Sequence, residues 1–231
     1  MNQKITYNLI WITSLTLLIY LAIGIEVPNN KNLKLQYTLL LIYSLVCFLR
    51  AFNMTDENEN WCIRDSYFVK PYINRTLATI GEICITIFLI NAISYISNRR
   101  FNKNILYIII LAQILCWIGV INNEPKFNFM EEFLWVLFFG YLFLKIVEKK
   151  GYKTNKIITL GVFLYILYMI SVDIPYYKNL KISNKRSIFE CNWNKPIEDD
   201  WGYSMIWQGL YYTIAVIFFI YIYKQSCLKK Q

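Results

Sequence analysis

Of the seven charged residues inside otherwise apolar stretches of this 231-residue chain, five could serve a ligand: Arg50, Arg75, Glu82, Glu132 and Asp173. Guanidinium and carboxylate groups together can hold a ligand that carries both charges. A zwitterion or a lipid headgroup suits such a lining better than a plain anion or cation does. Arg75, Thr79, Glu82 and Thr86 follow i, i+4, i+7, i+11 spacing, which on a helix makes a single polar stripe. The stripe has two readings. It is the wall of a polar cavity, or it is an ion pair in which Glu82 meets Arg50 or Arg75 and locks the bundle. Glu131 reads differently: Asn128-Phe129-Met130-Glu131 has the spacing of an N-cap with a reciprocal N3 glutamate, so Glu131 is expected to be a cap.

The elements that position these residues follow from composition. The chain is 57% apolar and only 17% charged, where soluble domains carry about 25% charged residues. Seven apolar stretches, at residues 5–25, 35–52, 72–96, 105–122, 129–147, 157–174 and 203–223, hold 7 of the 39 charges. Each approaches the ~20 residues needed to cross a ~30 Å hydrocarbon core. This segregation excludes an ordinary single-core soluble protein, a disordered chain and a soluble nucleic-acid binder. The expectation is an all-α, multi-pass bundle of about seven transmembrane helices forming a single domain, with the lipid bilayer as its partner. Two longer connections, 53–71 and 175–202, lie between spans. The first stretch follows Lys4 as a signal peptide would. Its apolar run is too long for a signal core, however, and Leu21-Ala22-Ile23-Gly24 is a poor cleavage site, so it reads as a retained helix.

Seven spans place the basic segments Arg99, Arg100 and Lys103, then Lys145, Lys149, Lys150, Lys153 and Lys156, then Lys224, Lys229 and Lys230, on one side. By the positive-inside rule that side is cytoplasmic and the amino terminus is outside. The net charge of +9 is then mainly a flank signal suited to anionic headgroups. Because spans alternate in direction, Arg50, Arg75, Glu131, Glu132 and Asp173 all fall near one membrane face, with Glu82 about 10 Å deeper at 1.5 Å per residue. Lys145 lies at the opposite face, where it can snorkel to water.

Cys62 and Cys191 sit in the two long loops, on the non-cytoplasmic side, and form a candidate disulfide. Asn53-Met54-Thr55 and Asn74-Arg75-Thr76 match the glycosylation acceptor pattern, with Asn74 close to the membrane. Trp61, Trp193 and Trp201 flank the same face as interfacial anchors, and Asp199 and Asp200 suit the positive end of the last helix's dipole.

The chain has no histidine. That removes Ser-His-Asp and Cys-His catalysis and histidine-ligated zinc, and no metal or other cofactor is expected. No P-loop, GxGxxG or HExxH is present, and no lysine lies in the last span for a retinal Schiff base.

The segment Arg50 to Cys84, ending Asn74-Arg75-Thr76-Leu77-Ala78-Thr79-Ile80-Gly81-Glu82-Ile83-Cys84, resembles a loosely defined group of uncharacterised polytopic membrane proteins. Ala112-Gln113 with Cys116-Trp117, Glu132 with Trp135, Val172-Asp173-Ile174-Pro175-Tyr176, and Trp207 with Tyr211 extend the resemblance over most of the chain. It implies a fold of about seven helices, carries no activity, and picks out Arg75, Glu82, Glu132 and Asp173. The expected function is binding or transport of a small zwitterionic ligand or lipid headgroup in an outer polar cavity. The alternatives are a receptor-like or scaffolding protein with a structural ion-pair network, and a carboxylate-dependent intramembrane enzyme.

Overall fold

A 20-residue apolar segment in lipid can satisfy its backbone groups only by closing its own hydrogen bonds, so the apolar stretches form helices. The computed structural model describes residues 3–56, 61–62, 67–98, 101–102, 104–148, 156–180, 187–191 and 209–229. The elements are α1 (Gln3–Gly24), α2 (Lys31–Phe52), β1 (Thr55–Asp56), β2 (Trp61–Cys62), a 3-10 turn (Tyr67–Val69), α3 (Pro71–Ser97), α4 (Ile105–Asn122) and α5 (Pro125–Val147). They are followed by α6 (Lys156–Tyr168), a π turn (Met169–Asp173), α7 (Ile174–Asn179), a second π turn (Leu210–Ile214) and α8 (Ala215–Leu228). The fold is an all-α helical bundle. Among the described residues, six helical runs are long and apolar enough to cross a membrane. Helix α5 is not among the six; it carries Lys126, Glu131, Glu132 and Lys145.

Helix ends differ from the sequence expectation, and three of the differences have a local cause. Helix α2 begins four residues early, because Asn30 Oδ1 accepts from the Asn32 and Leu33 amides at 2.9 and 3.3 Å and caps it. Helix α5 begins at Pro125, whose fixed φ suits a first turn. Asn128 and Glu131 are therefore interior residues, and the expected Asn128–Glu131 cap is not formed. The sixth span does not end at Ile174. The π turn shifts the hydrogen bonding by one residue, and Pro175 then falls in the first turn of α7, where its missing N–H costs nothing. The helix thus runs unbroken from Lys156 to Asn179.

The chain divides into two compact units, Met1–Phe88 with Arg186–Gln231, and Leu89–Lys185; α3 begins in the first and ends in the second. In the first unit α1 and α8 pack on α2. A Cβ at Gly81 of α3 would come within 2.9 Å of Val46, which shows how closely α3 approaches α2. One end of this unit carries the two-stranded β1–β2 hairpin and the segment 187–191. A disulfide joins Cys62 to Cys191, with Cα atoms 5.6 Å apart, and the pair is buried with Val69. In the second unit α4 and α5 form a tight helical hairpin. It turns at Asn123, whose left-handed backbone (φ 52°) asparagine tolerates well. The π turn and α7 pack against α5.

Candidate functional site

In the first unit the site is built on α2 and α3. Arg50 closes the last turn of α2 and Arg75 lies in the second turn of α3; both are buried. Arg50 Nε donates to Asn74 Oδ1 at 3.1 Å, and its guanidinium lies 5.4 Å from the centroid of Tyr212, a residue of the second π turn. That placement gains a cation–π attraction, strengthened by exclusion of water. Arg75 donates from one terminal nitrogen to both Glu82 oxygens, at 3.3 and 3.2 Å. The pair is mostly buried, with the side chains 7% and 16% exposed. Along the rest of the stripe, Thr86 spends its hydroxyl on the Glu82 carbonyl at 2.7 Å. Asn74 is buried and bonded to Arg50, so it is no sugar acceptor in this fold.

In the second unit Glu131, Glu132 and Asp173 are all buried, on α5 and on the first π turn. Gln113 and Cys116 of α4 are buried as well. Tyr177, one turn beyond Asp173, places its phenol within electrostatic reach of Glu132, Glu131, Cys116 and Asp173. Among the described residues no three His, Cys, Asp or Glu side chains are grouped to hold a metal ion.

The five expected site residues thus divide between the units: Arg50, Arg75 and Glu82 in the first, Glu132 and Asp173 in the second. Sequence reasoning missed four participants. In sequence Asn74 shows only an acceptor sequon, Glu131 the spacing of a cap, and Tyr177 a place in the connection 175–202. Tyr212 carried no signal beyond being one of 19 tyrosines. Trp193, Trp201, Asp199, Asp200, Arg99, Arg100, Lys103, Lys149, Lys150, Lys153 and Lys230 lie outside the described residues. Lys145 lies near its helix end and pairs with Glu148 at 3.0 Å.

Exposed side chains on these helices are largely apolar: Leu9, Ile12 and Ile19 on α1, Ile110, Leu111 and Ile114 on α4, and Leu160, Leu164 and Leu167 on α6. A soluble monomer rarely shows apolar surface on that scale. Charges inside and hydrocarbon outside define the class: a polytopic helical membrane protein with buried ionisable clusters. No protein-family model matches the chain, and neither does any curated protein or solved structure.

Proposed function

We propose that the buried charges bind, and serve to transport, a small zwitterionic ligand or a lipid headgroup. The observation that carries this is the Arg75–Glu82 pair. Both residues belong to α3, and this contact runs along that one helix. Ion pairs placed at this depth are expensive and persist where they serve a purpose. A guanidinium and a carboxylate side by side offer a zwitterion both complementary charges, with Arg50 and Tyr212 near at hand in the same unit. In the second unit the buried carboxylates Glu132 and Asp173 are acceptors of their own, suited to an ammonium group.

One observation favours a structural network as the second reading. The Arg50–Asn74 hydrogen bond does join α2 to α3. The two readings separate in Glu82→Gln and Asp173→Asn. On the binding reading both variants purify as folded protein and lose binding. On the network reading both lose folded protein. Native mass spectrometry with phosphatidylethanolamine or phosphatidylcholine, beside a panel of free amino acids and betaine, distinguishes a headgroup from a soluble zwitterion. Absence of retained binding by wild type from either set overturns the proposal.

A further inference from the structure

At the end of the first unit opposite Arg50, three contacts tie α1, α2 and α8 together. The Tyr37 hydroxyl donates to the Leu21 carbonyl at 3.0 Å, the Tyr37 and Tyr223 rings lie 6.1 Å apart, and Lys224 Nζ donates to the Tyr20 hydroxyl at 2.6 Å. The last turn of α1, the first turns of α2 and the last turns of α8 therefore share one level. Lys34 stands about 4.5 Å along α2 from Tyr37, Lys31 is one turn further, and Lys224 directly follows Tyr223. Arg50 lies about 24 Å from Lys34 along the same helix.

Lys31, Lys34 and Lys224 are exposed, and among the described residues none of the three meets a carboxylate. The stretches 19–37 and 220–231 hold a single acidic residue, Glu26. The positive end of the α2 dipole adds to this uncompensated charge. Lys224 is also held in place, with its ammonium 5.2 Å from the Tyr20 ring centroid. An ammonium has three donors, so the Tyr20 hydroxyl leaves two of them for another acceptor.

We infer that Lys31, Lys34 and Lys224 form a seat for the headgroup of an anionic phospholipid. The charge names an anion, and the surface around it names lipid as the source. Apolar side chains interleave with the lysines: Ile23 is 83% exposed, Leu35 45% and Leu228 58%. In a bundle that crosses a bilayer such side chains meet acyl chains, and lysines beside them extend to the headgroup level. The positive-inside rule puts this end on the cytoplasmic side, where anionic lipid gathers. The seat does not depend on ligand binding at Arg75 and Glu82, and its test is separate.

The test is native mass spectrometry of the full chain in detergent, with equimolar phosphatidylglycerol and phosphatidylcholine of the same acyl chains. Wild type is expected to retain phosphatidylglycerol at least about tenfold over phosphatidylcholine. The triple variant Lys31→Gln, Lys34→Gln, Lys224→Gln is expected to lose that preference. Lys126→Gln, which removes an exposed lysine paired with Glu124 in the second unit, is expected to keep it. Because Lys224 ties α8 to α1, the double variant Lys31→Gln, Lys34→Gln decides where the triple variant does not fold; a preference reduced at least about threefold supports the seat. No preference in wild type, a preference that survives the lysine variants, or an equal loss in Lys126→Gln overturns it. Binding of a polyglutamate peptide that depends on these lysines, without any lipid preference, also overturns it and makes the partner an acidic peptide.

Discussion

Arg75 reaches two full turns along its own helix to hold both oxygens of Glu82, seven residues away. The contact runs along α3 and fixes the Glu82 carboxylate against the Arg75 guanidinium within that helix.

This relation sets a prediction for stability. Glu82→Ala leaves a buried guanidinium without its carboxylate and is expected to cost about 3–5 kcal/mol. The double variant Arg75→Met with Glu82→Met removes both charges and is expected to recover most of that loss. Thermal unfolding in detergent, followed by tryptophan fluorescence, measures both. A double variant no more stable than Glu82→Ala contradicts the pairing.

The α4–α5 hairpin depends on Gly119. A Cβ there would land on the Asn128 side chain and crowd Phe127. Gly119→Ala is expected to lose about 1–3 kcal/mol by overpacking, read as a lower melting temperature.

The Cys62–Cys191 bridge closes a loop across 129 residues of sequence. Replacing both cysteines by serine is expected to cost about 2–5 kcal/mol. In unreduced protein a maleimide should label neither position, and a mass increment of two maleimides there would refute the bridge.

Asn74 accepts from Arg50 inside the bundle. Expression in a glycosylating host is expected to leave Asn74 unmodified, as peptide mass mapping would show. Asn74→Ala is expected to destabilise the fold by about 1–3 kcal/mol, because Arg50 Nε loses its acceptor while remaining buried.

Much of the bundle is legible one residue at a time. The sparse, segregated charge marks the helices, and the i, i+4, i+7, i+11 spacing marks the polar face of α3. Helix ends were less legible. The sixth span reads as 157–174, yet a π turn absorbs the missing N–H of Pro175 and carries Tyr177 past Asp173 on an unbroken helix. Asn128-Phe129-Met130-Glu131 reads as a cap, yet Pro125 starts α5 three residues earlier and turns Glu131 into the interior. In both cases a short motif is outweighed by what the neighbouring turn can accommodate.

The amino-acid sequence alone determines that this is an all-α bundle of apolar helices, because an apolar run satisfies its backbone groups locally and needs no partner to do so. It also determines which charges enter those helices. Tertiary structure alone decides what each charge meets: Glu82 with Arg75, Arg50 with Asn74 and Tyr212, and Tyr177 within reach of Asp173, Glu131 and Glu132. Hydrogen bonds and ion pairs fail beyond a few ångströms. The separation of two helices, set by residues such as Gly81 and Gly119, is not written in the spacing of either helix.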